Sequence, residues 1–421
     1  MIGPDETWSC MTLFGHSYDG EFRTSHARHF FKRTGIKALA WPLRGIYAVF
    51  KLFPSQNRVV FISRQSDRPS RDFLMLAEEI RRQNPHLEIV MLCRTMDGSF
   101  LSSLSYLFEI VRQARHLAVA SACIVDGYVI PVSMLNHKPG LYIIQTWHAL
   151  GAIKKFGYQS LDHPDGRSSS LADAMRMHHN YDMILCGTAA MVPVFAEAFG
   201  ADPKRVAPLG LPRVDYLLSG DAQRNSNPAA PLSPSIRALS ERFPRLTDRS
   251  KQTILYAPTY RRGRSVPLQD VIDACRDNRF TLIVKPHTLE SATIRESHVV
   301  DATGTSILDL LLISDVVITD YSAVAFEASV VHRPLYFYVP DIDSYVHETG
   351  LNIDPLKAAP DISSRDIADI IEWIETGDRD HLARQALDQY MEPFPEESCT
   401  RRIVNIVTTH ISGVEDHGTI N

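Results

Sequence analysis

No part of this 421-residue chain runs about 18 apolar residues without interruption, so no helix of it is expected to span a bilayer. The six cysteines, Cys10, Cys93, Cys123, Cys186, Cys275 and Cys399, lie far apart, with no CxxC pair and no metal-type spacing. That usage points to a reducing compartment. The amino terminus, MIGPDETWSC, lacks the basic-then-apolar order of a signal peptide. No internal repeat of about 20 to 50 residues is visible. A net charge of −5 argues against nucleic acid as the partner of the chain as a whole.

One absence is local. Between Phe22 and Ser66 there is no Asp or Glu, whereas Arg23, Arg28, Lys32, Arg33, Lys37, Arg44, Lys51, Arg58 and Arg64 are basic. Large apolar residues are interleaved with them, among them Phe30, Phe31, Trp41, Tyr47, Phe50 and Phe53. The mixture predicts a basic amphipathic helical hairpin, broken near Gly35 and Pro42, at an anionic membrane surface with Trp41 and Tyr47 at the headgroup level. The plainer alternative is a helix packed on the core with a solvated basic face.

The chain as a whole has the composition of a soluble globular protein, 44% hydrophobic and 22% charged, and is long enough for two or three domains. Short β-branched runs alternate with helical patterns. RVVFIS (58–63), LEIVML (87–92), LYIIQ (141–145) and MILC (183–186) read as strands, with helices at 71–83, 103–118, 171–178 and 189–199 between and after them. A proline-rich stretch, 219–250, reads as a linker. A second series follows: strands from Ile254, Thr281, Val316 and Pro334, and helices at 268–276, 308–312, 323–331, 367–376 and 380–391. This order predicts two α/β units with parallel sheets. The expected boundaries are 1–56 for the basic segment, 57–218 for the first α/β domain, 219–250 for the linker, 251–400 for the second domain and 401–421 for a tail.

Polar clusters recur where such strands end, which is where open α/β sheets place ligands. After Val316–Ile318 come Thr319, Asp320, Tyr321 and Ser322, with Ser322 expected to cap the following helix and touch an anion. After LYIIQ comes TWHALGAIKKFG, in which His148 is placed as a general base and Lys154 and Lys155 are either acceptor-side cations or a solvated pair. Thr259 and Arg261 in ILYAPTYR and His287 in KPH are expected to face the same crevice. Asp341 and Asp343 form a D-x-D that reads as a surface loop, so no metal is assigned.

TWHALGAIKKFG, GLPRVD, ILYAPTYR, KPH and ITDYSAVAFEA, in that order, resemble the CDP-glycerol glycerophosphotransferase family, which builds wall teichoic acids and related capsule polymers. The resemblance spans roughly Arg58 to Pro395. It implies a GT-B-like fold, two Rossmann-like domains facing across a cleft, with the donor nucleotide held by the second. It implies transfer of glycerol phosphate or another alditol phosphate from CDP-glycerol or CDP-ribitol to a hydroxyl of a polyprenyl-linked saccharide or growing polymer, with release of CMP and no cofactor. Catalysis falls to His148 and His287. Arg213, Thr259, Arg261, His287, Asp320, Ser322 and Glu327 are expected on the donor side, and Lys154, Lys155 and Asp215 on the acceptor side. The setting implied is the cytoplasmic face of an anionic membrane; a homo-oligomeric state stays open. Two stretches depart from the family's pattern: Glu348-Thr349-Gly350-Leu351-Asn352 stands where an Arg-Gly-Phe/Leu-Tyr stretch is usual, and Ala149-Leu150-Gly151 follows His148 where Gly-Thr-Pro is common. Two other readings remain at this level, a GT-B glycosyltransferase using a nucleotide sugar and a non-catalytic nucleotide-binding protein of envelope assembly.

Overall fold

The computed structural model describes residues 41–418 apart from 96–99, 228–232, 249, 260, 262–265, 277–278, 287–293, 295, 297, 392–393 and 395. The first arm of the expected basic hairpin, before Trp41, and His287 lie outside the described residues.

Two six-stranded parallel sheets organise the chain. The first contains β1 (Arg58–Ser63), β2 (Glu88–Cys93), β3 (Ala122–Val125), β4 (Tyr142–Gln145), β5 (Met183–Cys186) and β6 (Val206–Pro208), in the order β2-β1-β3-β4-β5-β6. The second contains β7 (Gln252–Tyr256), β8 (Phe280–Val284), β9 (Val299–Asp301), β10 (Val316–Thr319), β11 (Leu335–Tyr338) and β12 (Ser363–Ser364), in the order β12-β11-β10-β7-β8-β9. Central strands are buried along their length, as in ACIV and VVIT, because helices cover both faces; this is why they read as unbroken apolar runs rather than alternating ones. The strand order reverses beside β1 and β3 in the first sheet and beside β7 and β10 in the second. Those switch points open crevices at the carboxyl ends, and the candidate site uses both.

The halves meet closely. A Cβ on Gly151 would fall 2.4 Å from the Phe326 ring, so only glycine admits this contact between the loop after β4 and the helix Val324–Val330. The segment Glu348–Asn352 also folds onto the first half. Leu351 pairs antiparallel with Lys154, and the Lys155 N–H donates to the Gly350 carbonyl at 3.0 Å.

Two expected boundaries move. The helix Pro212–Ser226 runs through the presumed start of the linker, and the short helix foreseen there is present as Pro234–Arg242 with Ile236 and Leu239 buried. The presumed tail is instead the body of a helix, Cys399–Gly418, that packs back on the first half against Arg71–Gln83 and Pro212–Ser226. Its start is held by Asp215, whose carboxylate accepts from the Cys399 and Thr400 N–H groups at 2.9 and 2.8 Å and from the Ser398 and Thr400 hydroxyls at 2.7 and 2.5 Å. Asp215 is therefore a helix cap, not an acceptor-side residue, because its lone pairs are taken by backbone and hydroxyl donors.

Of the basic segment, residues 41–50 form a helix. Tyr47 is only 2% exposed and its hydroxyl pairs with His137 Nδ1 at 2.7 Å, so it belongs to the core and not to a headgroup layer.

Replacing Asp215 with Ala is expected to cost about 1–2 kcal/mol, the scale of a lost helix cap. Thermal denaturation should show a lower midpoint, and limited proteolysis should nick the chain near Ser398. An unchanged midpoint and cleavage pattern would mean the C-terminal helix is held without the cap.

Candidate active site

The chain leaves β4 by an unusual turn. Trp147 has φ of +55°, a region that a bulky residue enters at a cost of order 1–3 kcal/mol. The turn is held by Gln145, buried at the strand's end: its Oε1 accepts from the Trp147 N–H at 2.8 Å while its Nε2 donates to the Gly127 carbonyl at 3.0 Å. His148, next in line, is exposed toward a cavity of about 460 Å³ between the two halves. Its Nδ1 lies 3.0 Å from the Asp126 carbonyl and 3.4 Å from Gln65 Nε2. A carbonyl only accepts, and it is the nearer partner, so Nδ1 carries the proton and the lone pair falls on Nε2.

Lys154 and Ile153 continue this wall; the opposite one comes from the second half, with Thr259 after β7, Lys285 after β8, and Tyr321, Ser322 and Ala323 after β10. The cap position of the helix Val324–Val330 is Ala323, which supplies no side-chain cap. Ser322, expected as the cap, stands one residue earlier, where its hydroxyl accepts from the Val324 N–H at 3.4 Å and the residue lines the cavity. Glu327 forms part of the floor.

The arginines behave differently from expectation. Arg213 lines the cavity, yet its guanidinium is committed: Nε and Nη2 donate to Asp72 at 3.0 and 2.5 Å, and Nη1 donates to Glu327 Oε1 at 2.7 Å and to the His148 carbonyl at 2.8 Å. Arg261 is buried off the cavity, with Nη1 on Asp320 at 2.7 Å and Nε and Nη2 on Asp341 at 2.6 and 3.0 Å. Asp320 is fully buried too and accepts from the Thr259 and Tyr321 N–H groups at 2.9 and 2.6 Å. Arg261 and Asp320 are thus a bracket beneath the loops after β7 and β10 and do not line the cavity. Lys155 packs along Gly350 outside it. The two carboxylates of the D-x-D part company, Asp341 holding Arg261 and Asp343 holding Arg365 on the surface at 2.7 Å.

Sequence reading passed over Lys285 as a site residue, and also Asp72, Asp126, Gln65 and Trp147. Lys285 and Asp126 did carry a signal, since each directly follows a strand's end. Lys154 and Lys285 form no ion pair among the described residues; burial lowers the pKa of both, opposed by Asp320 and Asp165 for Lys154 and by Asp301 for Lys285. Burial also raises the Glu327 pKa, with Arg213 pulling against it. Among the described residues, Glu327 Oε2 and Thr259 Oγ1 are buried without a hydrogen-bond partner. Buried polar atoms left open beside a cavity are positions for a ligand's hydroxyls and phosphate oxygens. An imidazole, two lysines and two such polar atoms lining one cavity suit an anionic, hydroxyl-bearing ligand.

Behind His148, burial pushes the Asp126 carboxyl up to about 7, against a hydrogen bond from Ser63 that lowers it. In the unfolded chain an aspartate ionises near about 4. The folded protein therefore binds the extra proton between these values, and its stability falls as pH rises through that window and levels off above it. Asp126→Asn, always neutral, is expected to gain on the wild type in thermal midpoint from about pH 4 to about pH 7 and to hold a constant lead beyond. A pH-independent difference would mean Asp126 is ionised in the folded protein.

Comparison with known proteins identifies the family. A family model described as CDP-Glycerol:Poly(glycerophosphate) glycerophosphotransferase matches residues 46–409. The teichoic acid ribitol-phosphate primase of Bacillus spizizenii is 30% identical over 379 residues, 87% of this chain and 94% of the primase. The teichoic acid glycerol-phosphate primase of Bacillus subtilis is 27% identical over 263 residues, 60% of this chain and 64% of that protein. Among solved structures, the wall teichoic acid polymerase TagF has the same fold, with a TM-score of 0.68 at 17% identity over 94% of this chain and 100% of the polymerase chain. A UDP-N-acetylglucosamine 2-epimerase shares it more distantly, with a TM-score of 0.51 at 11% identity over 85% of this chain and 97% of that one. The two facing parallel sheets are thus of GT-B type, and the chain belongs to the CDP-glycerol:poly(glycerophosphate) glycerophosphotransferase family.

Proposed function

We propose that this enzyme transfers an alditol phosphate, glycerol phosphate or ribitol phosphate, from a CDP-alditol to a hydroxyl of a lipid-linked saccharide or growing polymer. The observation that carries this reading is the placement of His148 across one cavity from Lys285, with Lys154 beside it. The acceptor oxygen attacks the β-phosphorus of the donor, the bond from that phosphorus to the bridging oxygen breaks, and CMP leaves with the electron pair. His148 Nε2 takes the acceptor's proton. Phosphoryl transfer of this kind needs positioning and charge compensation more than covalent help from the protein. Lys154 and Lys285 supply the compensation, since Arg213 and Arg261 are spent on carboxylates. Thr259 Oγ1, Ser322 and Glu327 Oε2 are assigned to the donor's oxygens. No metal enters this reading.

Incubation with CDP-glycerol, CDP-ribitol and a panel of UDP-sugars, in the presence of EDTA, tests the donor class: CMP release from a CDP-alditol supports the reading, and UDP release alone overturns it. His148→Ala is expected to keep affinity for the donor and lose about two to four orders of magnitude in turnover. Lys285→Ala and Lys154→Ala are expected to weaken CDP binding by roughly tenfold each, read by calorimetry. Unchanged affinity in both would move the diphosphate elsewhere.

The acceptor's lipid implies a membrane surface, and the helix at 41–50 supports one. No described helix is long and apolar enough to cross a membrane. Trp41 is 77% exposed and Leu52 82%, with Val49 and Phe53 also open to solvent. Phe108, on the helix Phe100–Val119, is 78% exposed. Leu43 packs into the same small cluster as Ile110, so the two helices adjoin. Lys51 and Lys138 flank the patch, tied to the Asn136 and Phe53 carbonyls. Deleting the segment would strip Tyr47 from the core, so point changes are the sounder test. Combined Trp41→Ser, Leu52→Ser and Phe108→Ser changes are expected to abolish the salt-resistant part of binding to anionic vesicles while leaving CDP binding intact. Equal co-sedimentation of variant and wild type would remove this patch from membrane attachment.

A further inference from the structure

Trp147 has a place in the site that no expectation from sequence assigned. Along a strand, successive side chains point to opposite faces, so neighbours in sequence do not stack. Here the Trp147 and His148 rings lie with centroids 4.0 Å apart and planes at 33°. The left-handed turn at Trp147 makes this possible, and the Gln145 side chain holds that turn through the Trp147 N–H. Phe156 stacks on the indole at 4.9 Å and 21°, while Phe199 meets it edge-on at 5.4 Å. The indole is thus clamped by aromatic neighbours and has His148 against it.

We propose that Trp147 is a positioning residue for His148: its indole fixes the plane of the imidazole and stabilises the imidazolium formed when the acceptor's proton is taken. The inference rests on the reading of His148 as the base. Its physical motive is the charge around that ring. Arg213 reaches the His148 carbonyl from below, already shared between Asp72 and Glu327, and Lys154 and Lys285 line the same cavity. Asp126 stands behind, offering its carbonyl. The lysines oppose a new positive charge on the imidazole, and the electron-rich face of an indole within about 6 Å favours one.

The test is steady-state transfer from the CDP-alditol across pH, in wild type, Trp147→Leu, Trp147→Phe and protein in which tryptophan is replaced biosynthetically by a fluorinated tryptophan. Fluorination keeps the ring's shape and drains its face of electron density. Trp147→Leu is expected to lower kcat by roughly tenfold with KM for the donor within about threefold, and Trp147→Phe to recover most of the loss. Both the leucine variant and the fluorinated protein should show the acid limb of kcat/KM moved to lower pH, because a base that loses support for its charged form gives up its proton sooner. The fluorinated protein carries the test if the leucine variant does not fold. An acid limb that stays in place on fluorination overturns the inference, as does a phenylalanine variant no better than leucine. His148→Ala in the same assay separates the two readings: wild-type turnover there defeats the base assignment itself, whereas an inactive His148→Ala beside an unmoved acid limb defeats only the role of Trp147.

Discussion

The buried guanidinium of Arg213 is the contact on which the site's geometry depends. It joins the helix Arg71–Gln83 through Asp72, the turn carrying His148 through that residue's carbonyl, and the second half through Glu327. Burying such a group costs several kcal/mol, and the cost is offset only when nearly every N–H finds an acceptor, as happens here. Removing it would take from the buried carboxylates of Asp72 and Glu327 the only counter-ion they have among the described residues. An arginine suits the task because its planar fork holds several acceptors at fixed angles, which a lysine's single rotating ammonium does not.

The same logic separates the cations into two groups. Arg213 and Arg261 spend their donors inside the protein, the second on Asp320 and Asp341. Among the described residues, the cavity-lining cations that form no ion pair are Lys154 and Lys285, and a lysine is a point charge on a flexible stem rather than a rigid fork. The segment Glu348–Asn352 closes onto the Lys154–Lys155 segment, with Thr349 Oγ1 donating to Asp165 at 3.0 Å. The loop thereby helps to hold the wall on which Lys154 stands.

Much of the architecture was legible from sequence because parallel strands are buried on both faces and their apolar runs are short and sharply bounded. RVVFIS, MILC and the helix at 71–83 have the limits read from sequence. Elements that failed to show were those whose environment is decided from afar. The strand Ser363–Ser364 is two polar residues paired with β11, and the helix Cys399–Gly418 looked like a tail because its partner surface lies about two hundred residues earlier, at Asp215.

Local chemistry determined which positions end strands, and so placed His148, Thr259 and Ser322 at one edge of the fold before any contact was known. It could not determine how the side chains there divide their hydrogen bonds. Whether an arginine at a strand's end grips a phosphate or an aspartate depends on carboxylates brought from elsewhere in the chain, Asp72 and Glu327 for Arg213, Asp320 and Asp341 for Arg261. Likewise Trp147 reads as an apolar residue after a strand, and only the turn held by Gln145 lays its ring against the imidazole. Secondary structure follows from periodicity within some ten residues, but the pairing of charges and rings follows from distances that only the folded chain creates.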